Sequence, residues 1–302
     1  MRPQSLRRIL SLVLPLCCCA IAGHTAENAA PQKHFFWKVT SGRGVVFLLG
    51  TIHVGTADLY PLPPVIESSF NKSSTLVEEI NITDVDDTKN SKNFVAQNGA
   101  FVVGDFISNH LREETRNQLA RFVTANGLNV QVILHIRPWA LSMIVGNIEA
   151  KTAGLDGTKG LDKHFADEAL KMHKPIVGLE TNEGHLRLIA SFSDVLQDQL
   201  LMIALRDANK ATQQLHEILN AWKTGNSDAL EAIITQPVHE YPWLKPVETK
   251  IIDERNDTMT QKIEEFLKTP KTYFVAVGAG HMVGERGIVS QLRAKNYKVE
   301  QM

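Results

Sequence analysis

The run Val45-Val46-Phe47-Leu48-Leu49-Gly50-Thr51-Ile52-His53 decides how this sequence reads. Five apolar residues in a row, with no polar alternation, describe a strand covered on both faces. The glycine at its end stands three residues before a histidine. It permits a sharp exit from the strand and a close backbone approach, so the imidazole lies just past the strand end. Upstream, residues 34–40 read as the partner strand of a hairpin turning at Ser41-Gly42-Arg43. Downstream, residues 75–80, 176–179, 273–277 and 297–301 read as further strands.

Between these strands the apolar period lengthens. Helices are predicted over 111–126 (capped by Ser108 or Asn109 and stopped by Gly127), 137–152, 162–173 and 288–295. Residues 83–98 are polar and read as a surface loop in which Asp84, Asp86 and Asp87 are solvated. The stretch 194–268 is almost entirely helical by pattern, broken at Gly225 and around Pro237–Pro246, and reads as a helical cap or subdomain. The expected fold is α/β: a mixed β-sheet flanked by helices, with a large helical insertion.

Four strand ends carry groups that bind metals or move protons. These are His53, the pair Glu78-Glu79, Glu180, and His281 within Gly278-Ala279-Gly280-His281. Ligand sites in open α/β sheets form beyond the carboxyl ends of strands. Two imidazoles and two or three carboxylates meeting there make a mixed nitrogen and oxygen site for a divalent cation. Each Gly-x-x-His taken alone is equally a turn with a satisfied histidine. Strand alternation puts Glu78 and Glu79 on opposite faces, so at least one of them is expected in solvent, and Glu180 can equally cap a helix starting near Asn182.

Composition sets the outer limits. The 302 residues are 43% hydrophobic and 22% charged, with 32 Lys+Arg against 33 Asp+Glu, so no basic surface argues for a nucleic-acid partner. Residues 1–22 read as a cleavable signal peptide: Arg2, Arg7 and Arg8, an apolar run from Ile9 to Ile21, and the Ala-Ile-Ala cleavage pattern. Removing those 22 residues, with three basic and no acidic side chains, leaves residues 23–302 as a single domain of net charge −4. All three cysteines (17–19) lie in that segment, which removes disulfides and thiolate chemistry from the mature chain; a lipid anchor on one of them fits Pro15-Leu16 poorly. A periplasmic or secreted protein with no integral membrane anchor after cleavage is expected.

With these residues in view, the chain resembles the TraB/GumN family, related to the TIKI-type metalloproteases. The resemblance runs through Phe36-Trp37-Lys38-Val39, Leu49–Gly55, Leu76–Ile80, Arg137-Pro138-Trp139-Ala140, Gly160-Leu161-Asp162, Gly178-Leu179-Glu180-Thr181, Arg255-Asn256 and Val277–Gly284. It implies an exported metal-dependent hydrolase, a peptidase or an amidase/esterase of small substrates, that activates water with Mn, Co or Zn. By motif position it selects His53, His281 and Glu79 as metal ligands. It selects Glu79, Glu180 and Arg255 as catalytic groups, Arg255 as a charge stabiliser. Arg255 and Asn256 are neighbours on a helix and diverge, so only one is expected at the site. Asn182-Glu183-Gly184-His185 departs from the acidic and Gln-containing run usual in the family, with His185 standing where Gln is usual. The resemblance also leaves open a non-catalytic binder that sequesters a peptide or ligand, and a structural helper of envelope polysaccharide export.

Overall fold

The apolar run sits inside a six-stranded sheet in the computed structural model, which describes residues 33–302 apart from the side chains of 207–212. The expected signal peptide and its cleavage site lie outside the described residues. Strands β1 (Phe36–Thr40) and β2 (Val45–Thr51) form the predicted antiparallel hairpin, with Phe36 opposite Leu49. The Ser41 hydroxyl closes the turn by accepting from the amides of Arg43 and Gly44. Strands β3 (Thr75–Ile80), β4 (Ile176–Glu180), β5 (Thr272–Gly278) and β6 (Lys298–Gln301) complete the order β4-β3-β5-β2-β1-β6. β4, β3, β5 and β2 are mutually parallel, and β1 pairs antiparallel with both β2 and β6.

This topology positions the site. Four neighbouring strands end at one edge of the sheet, so the residues that follow them are brought side by side without any long loop. Thr51 lies opposite Gly278, and Ile80 opposite Glu180. β2, β3 and β5 are buried along nearly their whole length, which explains the lack of polar alternation in their sequences. Beneath them, the Phe274 ring of β5 meets Phe165, Phe70 and Phe36 at centroid distances of 4.7, 5.3 and 5.9 Å. Each such pair adds about 0.5–1.5 kcal/mol to the burial itself.

Helices fill the connections. α1 (Pro64–Lys72) follows β2, with a proline at its first turn. α2 (Val85–Asn98), α3 (Glu113–Ala125), α4 (Val130–Ile133), α5 (Pro138–Thr152) and α6 (Leu161–Lys171) lie between β3 and β4. α7 (Asn182–Ala190), α8 (Asp194–Lys223), α9 (Ser227–Glu240), α10 (Lys245–Glu248) and α11 (Glu254–Leu267) lie between β4 and β5, and α12 (Ile288–Ala294) precedes β6. No single helix among the described residues is long and apolar enough to cross a membrane.

Several expectations are corrected here. Residues 83–98 are a helix rather than a loop. α2 buries little beyond Ser91 and Phe94, so its sequence carries almost no apolar stripe. Asp84 and Asp87 are engaged rather than simply solvated. Asp84 caps α2 by accepting from the Asp87 amide, and Asp87 accepts from the amides of Asn182 and Glu183 at the start of α7. Ser108 and Asn109 belong to a separate short turn; Arg112 stands at the start of α3. The cap of α7 is Thr181, not Glu180. The helical stretch 194–268 does not behave as one cap. Leu201 and Leu205 of α8 join α3, α4 and α5 in a second apolar cluster, whereas Leu219 and Trp222 farther along α8, with Met259, Ile263 and Leu267 of α11, pack into the main core under the sheet.

Candidate functional site

The two Gly-x-x-His segments leave adjacent strands, β2 and β5, and curl over the same sheet edge. Gly278 leaves room there. A Cβ on it would stand 3.1 Å from Glu79 Oε2, 3.6 Å from His281 Cδ2 and 3.6 Å from His53 Nε2. Both imidazoles and the β3 carboxylate therefore face one point, and a side chain at 278 would fill it. Gly160 serves a second close approach, since a Cβ on it would collide with the His53 carbonyl at 2.2 Å. That contact docks the start of α6 against the β2 exit, where the Leu161 amide donates to the Ile52 carbonyl at 3.0 Å.

Arg255 sits among the acidic groups and is 8% exposed. Its Nη2 donates to Glu79 Oε1 at 2.5 Å and to Glu180 Oε2 at 2.6 Å, and its Nε donates to Glu180 Oε2 at 2.8 Å. Its Nη1 donates to the Ile251 carbonyl at 2.9 Å and to His281 Nε2 at 3.2 Å. Residues Thr249–Asp253, ending two positions before Arg255, form one π turn, an irregularity frequent at functional sites, and it presents the Ile251 carbonyl. Asn256 reaches the site as well, which corrects the expectation that only one of the pair does. His281 is the reason: Arg255 meets Nε2 of its ring and Asn256 Oδ1 meets Nδ1 at 2.6 Å. The Asn256 amide is itself oriented, because its Nδ2 donates to the Arg286 carbonyl at 2.9 Å. Oδ1 is thus the acceptor, His281 carries its proton on Nδ1, and the Nε2 lone pair points into the cluster.

His53 is held by a residue that the sequence reading quoted only within a motif. Asp162 accepts from His53 Nδ1 at 2.8 Å and from the Thr51 hydroxyl at 2.7 Å. A carboxylate behind a histidine fixes the tautomer and leaves Nε2 facing the site. The hydrogen bond to Asp162 is the main cause that raises the His53 pKa to about 9, although the ring is 67% exposed at the mouth of the site. His281 is the opposite case: burial drives its pKa down to about 4, so it is neutral at physiological pH. Burial alone would raise Glu79, but His281, the Arg255 guanidinium, His53 and the Gly278 amide at 2.9 Å hold it well below the usual carboxylate range.

Neither glutamate of the Glu78-Glu79 pair is in solvent; they are 0% and 5% exposed. Glu78 faces away from Arg255, and burial together with the Asp162 charge pushes its pKa up to about 8. The Ile82 amide approaches it without meeting hydrogen-bond geometry. β3 is covered on both faces, so strand alternation separates the two carboxyls without exposing either.

The chemistry of the donor set fits a divalent cation. Glu79, Glu180 and His185 each offer a ligand atom, all within 4.8 Å of one another. Burial lowers the pKa of His185, keeping it neutral, and its buried Nδ1 has no hydrogen-bond partner. His281 Nε2 lies 3.7 Å from Glu79 Oε1. Glu79 is therefore common to this triad and to the set His53, His281 and Glu79 expected from sequence. His185 was not in the expected set, and only its position as the fourth residue of α7, in the first turn after β4, could have signalled it.

YbaP of Escherichia coli is 23% identical over 276 residues, covering 89% of this chain and 97% of YbaP. A protein named Metalloprotease TIKI homolog from Amphimedon queenslandica is 23% identical over 344 residues, covering 97% of this chain and 66% of that protein. Metalloprotease TIKI2 of Xenopus tropicalis is 23% identical over 310 residues, 88% of this chain and 59% of that protein. No solved structure matches the chain significantly. The TraB/PrgY/gumN family profile matches residues 35–301, nearly all of the sheet and helices described above, and the chain belongs to that family.

Proposed function

We propose that this chain is an exported metal-dependent hydrolase that cleaves peptide or small amide and ester bonds, acting in the periplasm or outside the cell. The observation that carries the reading is the delivery of Glu180, Glu79, His281 and His53 by four adjacent strands to one edge, with Arg255 among them. Glu79, with either His185 and Glu180 or the two strand-end histidines, would hold the cation. A divalent cation there supplies Lewis-acid chemistry, polarising an acyl carbonyl and making water a nucleophile near neutral pH.

The protein's own groups do the rest. Asn256 and Asp162 set the tautomers of His281 and His53, so both rings present a nitrogen lone pair inward once His53 gives up its proton. Glu79 is too weak a base to take a proton near neutrality and suits a ligand role. Where the two strand-end histidines hold the cation, Glu180, with a side chain more exposed than that of Glu79, would accept the proton of the attacking water. The Arg255 guanidinium is fixed by Glu79 and Glu180; as Glu180 takes up the proton and loses its charge, an N–H released from it would turn to the negative charge developing on the carbonyl oxygen.

Incubation of the mature protein with a peptide library and Mn²⁺, Co²⁺ or Zn²⁺, read by mass spectrometry, tests the reading. Cleavage that needs the metal and disappears in Glu180→Gln is expected. Saturable binding without products under every metal would replace hydrolysis with sequestration.

A further inference from the structure

We propose that the cavity beside the acid–histidine cluster is a subsite for one bulky apolar side chain of the substrate, next to the bond attacked; this rests on the hydrolase reading above. The cavity holds about 370 Å³, within the range of small-ligand pockets. His185 joins it to the site: the same residue lines this cavity and the polar recess that contains His53, Glu79 and Asp162. Arg255 lines it as well.

The walls are Trp139, Met143, Ile189, Phe192, Ile251 and Ile252. The two isoleucines come from the π turn just before Arg255, so the wall and the charge cluster are set by one backbone feature. Of the polar groups that also line the cavity, Ser142, Gln197 and Arg255 are already engaged within the fold, and His185 is the neutral ring shared with the metal cluster. Ser142 Oγ donates to the Pro138 carbonyl at 2.9 Å. Gln197 donates to the Phe192 carbonyl at 2.7 Å and to the Ala190 carbonyl at 3.3 Å, and its Oε1 accepts from the Trp139 amide. The guanidinium of Arg255 is committed on all three nitrogens. A charged side chain entering here loses its water and gains no ion partner, whereas an apolar one loses nothing. Met143, 43% exposed at the rim, is an apolar surface that such an occupant would cover.

The test uses matched peptides that differ only at the residue flanking the cleaved bond, carrying Phe, Leu, Ala, Glu or Lys. Burying a full apolar side chain predicts kcat/KM about 10- to 100-fold higher for Phe and Leu than for Glu and Lys. Met143→Glu should remove at least about tenfold of that advantage, lowering cleavage of the Phe and Leu peptides more than that of the Ala peptide, while Met143→Leu keeps the wild-type preference. Equal cleavage of all five peptides, or a preference that survives Met143→Glu, overturns the proposal while leaving hydrolysis standing. If no peptide is cleaved with any of the three metals, the hydrolase reading fails. The subsite is then read by NMR titration: N-acetyl-phenylalaninamide shifts the Trp139 indole N–H in the wild type but not in Met143→Glu, and N-acetyl-glutamate amide does not shift it. Absence of that shift overturns the proposal too.

Discussion

Gly50–His53 and Gly278–His281 share a four-residue pattern, leave adjacent parallel strands and face the same point, yet their imidazoles are electrostatic opposites. His53 is open to solvent, backed by the Asp162 carboxylate and raised to about 9. His281 is 5% exposed, backed by the neutral Asn256 amide and lowered to about 4. The difference shows that spacing fixes where a ring goes, while the group behind Nδ1 and the depth of burial fix its charge. It also gives the pair opposite pH windows. The His53–Asp162 contact contributes stability below the unfolded histidine value of about 6.5 and loses it as pH rises through about 9. The neutral His281 contributes stability above about 6.5 and loses it as pH falls toward about 4.

The largest way to break this comparison is on the His281 side. Arg255→Gln removes the cation that pairs two carboxylates in a buried setting and should cost about 3–5 kcal/mol in urea denaturation, with loss of metal-dependent activity. A cost under about 1 kcal/mol would mean that water already screens the cluster. Glu78→Gln acts on the other side, next to Asp162. A carboxyl raised to about 8 must stay protonated in the fold while the unfolded chain ionises, so it destabilises increasingly from about pH 4.5 to 8. The variant should gain stability over the wild type by about 4 kcal/mol at pH 8 and by little at pH 4, read from thermal melts across that range.

A pair of partner swaps sharpens the contrast directly. Asp162→Asn should bring the His53 pKa down from about 9 toward 6.5, and Asn256→Asp should raise that of His281 from about 4, both read by NMR of the ring protons. Metal affinity should fall by about 10- to 100-fold in Asp162→Asn, as for other groups that orient ligands. The smallest expected effect is in His281→Asn, where the part of the acid-side loss of stability between about pH 6.5 and 4 that belongs to this ring disappears.

Much of the sheet was legible because β2, β3 and β5 are continuous apolar runs with chemistry at their ends. The helix α2 was not, since a helix exposing most of its surface leaves no stripe to detect. Glu78 and Glu79 were misjudged because alternation says which face a side chain takes, not whether that face is covered. Asp162 and Asn256 act through partners distant in sequence, His53 across 109 residues and His281 across 25, and His185 meets Glu79 from a different strand connection. No local pattern carries such a pairing, although each of the three lies in or beside a motif that the sequence reading had quoted.

The central claim is that Glu79 and the imidazoles of His53 and His281, delivered by adjacent strand ends, share one cation. Isothermal titration of the metal-free mature protein with Mn²⁺, Co²⁺ and Zn²⁺, repeated on Glu79→Gln, His281→Ala and His53→Ala, tests it most directly. The account predicts one tight site per chain, lost in Glu79→Gln and weakened at least about tenfold in each histidine variant. Full stoichiometry at unchanged affinity in all three variants would contradict it.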